Sequence, residues 1–132
     1  MSSSNSFQTQ NPATLEYIQE YEYLSYQKSE ILLQELHLNQ KKWQSSKIGE
    51  RVQYLKNIAD HFLKMKTSLA KSMALEMGKP IADGILEVEK CARCAHYYAE
   101  HLEEFLQTEQ VQLSRQSQGF IYKEPLGVIF AI

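Results

Sequence analysis

Two long helical stripes of hydrophobic positions flank a single break in the chain. In the first, Val52, Leu55, Ile58, Ala59, Phe62, Leu69, Met73 and Met77 recur at helical spacing, with Lys56, Asp60, Lys64, Lys71 and Glu76 on other faces. In the second, Ile81, Ile85, Val88, Ala92, Ala95, Ala99, Leu102 and Leu106 form the stripe. Between them stands Glu76-Met77-Gly78-Lys79-Pro80. Gly78 has no Cβ, so it can take the left-handed backbone that closes a helix. Pro80 cannot continue the outgoing helix, but its fixed φ suits the first turn of the next. Lys79 follows the last turn, where a cation complements the exposed carbonyls. A link this short predicts an antiparallel or steeply crossed helix pair.

Elsewhere the pattern is shorter in range. Residues 1–10 are polar and small, and are expected to be disordered. Asn11-Pro12 starts a turn. Over residues 15–23 apolar and polar positions alternate, which predicts a short strand or hairpin. A further helix is expected from near Tyr26 or Ser29 to Trp43, with Leu32, Leu33, Leu36 and Trp43 on one side. Asn39 and Gln40 interrupt that stripe. Gln44-Ser45-Ser46-Lys47 breaks the pattern and offers Ser45 or Ser46 as an N-cap. After Leu106 the helical period stops. Val111, Leu113 and Arg115 alternate with glutamines and serine, Ser117-Gln118-Gly119 reads as a turn, and Phe120-Ile121-Tyr122 is strand-like. Beyond the break Glu124-Pro125-Leu126-Gly127, the run Val128-Ile129-Phe130-Ala131-Ile132 is wholly apolar, as in a parallel strand buried on both faces. Such a strand needs partners reached by crossovers, so the chain looks cut off after Ile132.

Composition narrows the class. A length of 132 residues suits one domain, and 43% apolar with 23% charged residues argues against general disorder. The formal net charge of -2, with both signs interspersed, gives no reason to expect nucleic acid or an anionic membrane as a partner. No apolar run approaches the roughly 20 residues of a membrane span. The N-terminus lacks a basic region followed by an apolar stretch, so no secretory signal is read and a cytoplasmic location is the default.

Candidate chemistry is sparse. Cys91 and Cys94 form Cys-x-x-Cys, the spacing of a redox pair or half a zinc site. The motif lies inside a helix and has no second pair to complete it, so two small helix residues is the preferred reading. His96 and His101 do not share a helix face, and His37 and His61 stand alone; all read as surface histidines. Gly78-Lys79 is like the end of a phosphate-binding loop, but the first glycine and the Ser/Thr are missing. The dinucleotide pattern Gly-x-Gly-x-x-Gly is absent. Glu87, Glu89, Glu100, Glu103 and Glu104 read as solvated helix acids, with Glu89 supported by Arg93 four positions on. The residues by themselves define no catalytic or metal constellation.

Several stretches together resemble the N-terminal region of the NAD(P)-dependent aldehyde dehydrogenase superfamily. These are Asn11-Pro12-Ala13-Thr14, then Trp43 followed by Glu50-Arg51, Leu55 and Ala59, and then Glu76-Met77-Gly78-Lys79-Pro80. Glu87-Val88-Glu89-Lys90-Cys91, Tyr97-Tyr98-Ala99-Glu100 and Phe105-Leu106 follow, and Glu124-Pro125-Leu126-Gly127-Val128-Ile129 is similar to the entry into the first strand of the cofactor domain. The combination is most like the succinate-semialdehyde dehydrogenase branch. Two departures stand out: Leu15 where the family usually has glycine, and Leu36, Asn39 and Gln40 in place of small or aromatic residues.

The resemblance implies an α/β, Rossmann-like family fold, of which this segment is mainly α with short terminal β-strands. It implies that residues 11–132 belong to the cofactor-binding domain, with strands over 108–124 of the oligomerisation-hairpin type. The intact relative would oxidise succinate semialdehyde or a similar small aldehyde with NAD or NADP, as a homo-oligomeric dimer or tetramer. In that family a cysteine thiolate attacks the aldehyde, hydride passes to the cofactor, and a glutamate activates the hydrolytic water. Those residues lie downstream of this chain, so no catalytic residue is carried over. Ile132 alone is expected near the cofactor pocket, as part of its wall. The chain by itself is expected to be inactive and not to bind the cofactor. The alternative is a non-catalytic helical interaction module derived from the same fold.

Overall fold

A computed structural model describes residues 5–131. Strands β1 (Ser6–Gln10) and β2 (Tyr17–Glu22) come first. Helices α1 (Tyr26–Gln44), α2 (Ile48–Met77) and α3 (Ile81–Leu106) follow, and strands β3 (Glu109–Gln112) and β4 (Gln118–Ile121) close the order. The segment is mainly helical with short strands, as expected.

β1 and β2 pair antiparallel, with Phe7 opposite Tyr21. Their rings stack at 5.2 Å between centroids. The disorder expected through residue 10 therefore does not extend over β1. Its small polar residues satisfy their backbone on β2, and Phe7 supplies the apolar cross-strand contact. The turn between them is built by Asn11, whose Oδ1 accepts the Ala13 N–H at 2.9 Å. The Asn11 N–H donates to the Glu16 carbonyl at 2.9 Å and the Leu15 N–H to the Asn11 carbonyl at 2.8 Å. Leu15 is left-handed, at φ 62.

α1 starts where Ser25 Oγ accepts the Lys28 N–H at 3.3 Å. None of its residues is buried. Ser45 and Ser46 do not cap α2. Their hydroxyls donate back to the Lys42 and Trp43 carbonyls, at 2.8 and 2.6 Å. Free carbonyls at the end of α1 compete for both serines, and Lys47 is left at the N-cap of α2 without a side-chain cap.

α2 ends on Gly78 at φ 71, whose N–H donates to the Ala74 carbonyl at 3.0 Å. Pro80 sits one place outside α3, at its N-cap, and its carbonyl accepts the Gly84 N–H at 2.9 Å. The two helices run antiparallel: Ala70 meets Gly84, Lys66 meets Glu89 and Asp60 meets His96. Between them lies the core, made of Ala59, Ala70, Gly84, Val88, Ala92 and Ala99. These side chains are small, so the backbones approach closely. A Cβ added at Gly84 would lie 3.0 Å from both Ala70 Cα and Ala70 Cβ.

β3 and β4 form an antiparallel hairpin, Glu109 opposite Ile121 and Gln112 opposite Gln118. Gln118 and Gly119, expected in the turn, are in β4, and residues 113–117 make the turn instead. The reason is Leu113, whose side chain lies over Gly119: a Cβ there would be 3.2 Å from Leu113 Cδ1. Residues 128–131 were expected to be a strand and are not one. Ile129 and Phe130 are exposed at 72% and 85%. Apolar composition does not make a strand without a neighbour to accept its ladder hydrogen bonds.

Candidate functional site

The joint between α2 and α3 brings several of the motif residues together. Gly78 turns the chain, and Lys79 pairs with Glu87, the seventh residue of α3. The turn of the N-terminal hairpin leans on the same place, because a Cβ added at Gly78 would sit 3.2 Å from Pro12 Cγ. The sequence-distant stretches Asn11-Pro12 and Gly78-Lys79-Pro80 therefore meet in space. Further along the interface, Lys66 Nζ donates to Glu89 Oε1 at 2.6 Å. That hydrogen bond, then the Lys66 charge, holds the Glu89 carboxyl below the usual carboxylate range, with Arg93 adding a smaller attraction. Glu89 is thus a crosslink between helices rather than a solvated acid.

The candidate side chains do not converge. Cys91 and Cys94 are free and exposed on α3. His96 Nε2 lies 3.8 Å from Asp60 Oδ1, and His101 Nδ1 lies 2.8 Å from the Tyr97 carbonyl with its ring stacked on Tyr97. Among the described residues no three His, Cys, Asp or Glu side chains are grouped to hold a metal. Ile132, the expected pocket-wall residue, lies outside the described residues. A cleft of about 350 Å³ opens between the start of α2, the end of α3 and the segment after β4. Arg51 lines it, with its Nη2 3.4 Å from the Ser46 carbonyl and its Nε buried without an acceptor.

A dinucleotide pyrophosphate is held by a glycine-rich turn that opens onto a helix N-terminus. The helices here open differently. Ser25 caps α1, Glu50 stands in the first turn of α2, and Pro80 and Asp83 stand at the start of α3. Those carboxylates oppose an anion. No helix among the described residues is long and apolar enough to cross a membrane.

Two features were missed by the periodicity. Gly84 shares a stripe with Val88 and Ala92 at four-residue intervals, and that small-residue spacing was its signal. The Lys66–Glu89 contact had none, since 23 residues separate the partners.

The aldehyde dehydrogenase family model matches residues 1–132, and the chain belongs to that family. It is similar to a probable succinate-semialdehyde dehydrogenase for NADP(+) from Synechocystis sp., 37% identical over 127 residues. That match covers 94% of this chain and 27% of the relative. The succinate semialdehyde dehydrogenase Sad of Escherichia coli K12, named for NAD(P)+, is 32% identical over 122 residues, covering 92% of this chain and 26% of that protein. The crystal structure of succinic semialdehyde dehydrogenase from Streptococcus pyogenes, in complex with NADP+, superposes with a TM-score of 0.82 at 28% identity. It covers 88% of this chain and 26% of that one. The chain thus spans about a quarter of the length of these relatives. The match agrees with the N-terminal portion expected from the motifs.

Proposed function

We propose that this chain is the scaffolding N-terminal portion of an NAD(P)-dependent aldehyde dehydrogenase that oxidises succinate semialdehyde or a similar small aldehyde. The observation that carries this reading is the 37% identity, over 94% of the chain, to a protein named for that activity. In this reading α2 and α3 brace the cofactor domain, residues 128–132 enter its first strand, and Ile132 contributes to the wall of the NAD or NADP pocket. Strands over residues 108–124 serve subunit contact in a homo-oligomer, a dimer or tetramer, in the cytoplasm. Neither cofactor binding nor oxidation belongs to the isolated chain. The purified chain is expected to form no NADH or NADPH when given succinate semialdehyde and either cofactor. Aldehyde-dependent reduction, with contaminating dehydrogenase excluded, overturns this. A chimera tests the scaffold role: this chain replaces the matching portion of the Escherichia coli relative. Retained oxidation of succinate semialdehyde supports the role, and a soluble but inactive chimera sinks it.

A second reading, a non-catalytic helical interaction module, rests on a specific observation. The apolar side of α1 is open, with Leu33 55% and Leu36 42% exposed. The coding sequence after Ile132 separates the two. Continuation into a segment bearing a cysteine nucleophile favours the enzyme, and an immediate stop favours the module.

A further inference from the structure

The two cysteines of the Cys-x-x-Cys lie on the solvent side of α3. Ala92, between the cysteines, is 1% exposed and faces α2, whereas Cys91 and Cys94 are both open to solvent. They line one shallow depression, in company with Lys90 and Arg93. Three positions apart on a helix, their Cβ atoms are roughly 5–6 Å from each other. A disulfide needs about 3.5–4.5 Å, so direct oxidation of the pair requires the helix to distort. A metal ion fits that gap better: thiolate–metal bonds of about 2.3 Å, as to zinc, let one ion span sulfurs up to about 4.6 Å apart.

We infer that Cys91 and Cys94 form a two-thiolate site for a soft monovalent cation of the copper(I) class. Thiolate ligands select soft ions. A four-ligand ion such as zinc lacks its remaining partners, because no three ligating side chains are grouped among the described residues. On binding, two S–H bonds break, two S–metal bonds form and two protons leave to solvent; no electron moves. The bound unit carries one negative charge, which Lys90 and Arg93 on the same wall offset. Glu87, the acid of that wall, is already engaged by Lys79. The inference stands whether or not the dehydrogenase reading does.

The test is anaerobic titration of the reduced chain with copper(I) against a chromophoric copper(I) chelator. One ion per monomeric chain is expected. Cys91→Ser and Cys94→Ser should each weaken binding by more than about 100-fold, beyond the loss typical of an outer-shell change. Two ions per chain, one ion shared by two chains, or a serine variant of undiminished affinity overturns the inference. A second measurement needs no variant. One equivalent of phenylarsine oxide, which bridges paired thiols, should protect both cysteines of the unaltered chain from alkylation, and failure to protect them counts equally against the site.

Discussion

The pair α2–α3 and the helix α1 all carry apolar residues at helical spacing, interrupted in α1 by Asn39 and Gln40, and end in opposite situations. α2 and α3 bury Ala59, Ala70, Gly84, Val88, Ala92 and Ala99 against each other, while α1 buries nothing. The difference is in side-chain size and in the backbone at the joint, since both connections, 45–47 and 78–80, are three residues long. A short joint at Gly78 brings α3 straight back onto α2, and alanine and glycine let the backbones close in. α1 has leucines and a tryptophan, none of them buried among the described residues; Trp43 meets the Tyr54 ring edge-on, at 5.3 Å. A hydrophobic stripe reports a wish for burial. Burial itself depends on a complementary surface.

The sharpest way to break this contrast is to wedge the joint open. Gly84→Leu places a branched side chain where even a Cβ meets Ala70 at 3.0 Å. It is expected to cost about 3 kcal/mol, the upper end for overpacking, read as a fall in urea midpoint. An unchanged midpoint would mean that the helices do not pack as described.

Matched truncations come next. Val88, 4% exposed, should cost about 2 kcal/mol on Val88→Ala. Leu36, 42% exposed, should change stability by less than about 0.5 kcal/mol on Leu36→Ala, despite losing a larger side chain. Equal costs at the two sites would show that α1 has a partner in solution.

The left-handed positions give smaller effects of opposite sign. Gly78→Ala adds a Cβ at φ 71 and should destabilise by about 1–2 kcal/mol. Leu15→Gly removes one at φ 62, and should stabilise by up to about 1 kcal/mol after the entropy of glycine is subtracted. Leu15 is 68% exposed, so little packing is lost with it. Thermal melts of both variants read the two signs.

The smallest effect is electrostatic. Folding lowers the Glu89 pKa through Lys66, so the Lys66–Glu89 pair stabilises above the ordinary carboxylate pKa. That contribution is lost as pH falls through the lowered folded value. In Glu89→Gln the acid limb of a pH–stability curve should be shallower than in the parent. An identical limb would remove Glu89 from the interface.

Much of this was legible in the residues. The α2 and α3 stripes, the glycine stop between them and the start of α1 near Tyr26 follow from periodicity and capping chemistry. Glycine expected at the Leu15 position also makes sense in the structure, since that residue is left-handed. The candidate site was less legible. Cys91 and Cys94 were visible as a motif, but whether they faced α2 or solvent turns on the rotation of α3, which the stripe sets only within a position or so.

Local rules therefore determined the elements and their ends, because helix period, left-handed glycine and proline geometry act within a few residues. Tertiary contact decided the rest. Ser6–Gln10 became a strand because β2 was there to pair with it, and residues 128–131 did not, since among the described residues no strand pairs with them. Ser45 and Ser46 turned back to α1, Lys66 found Glu89, and Gly84 mattered because Ala70 lies opposite. In each case the deciding partner is far along the chain or in competition with a nearer one, and no window of sequence contains that information.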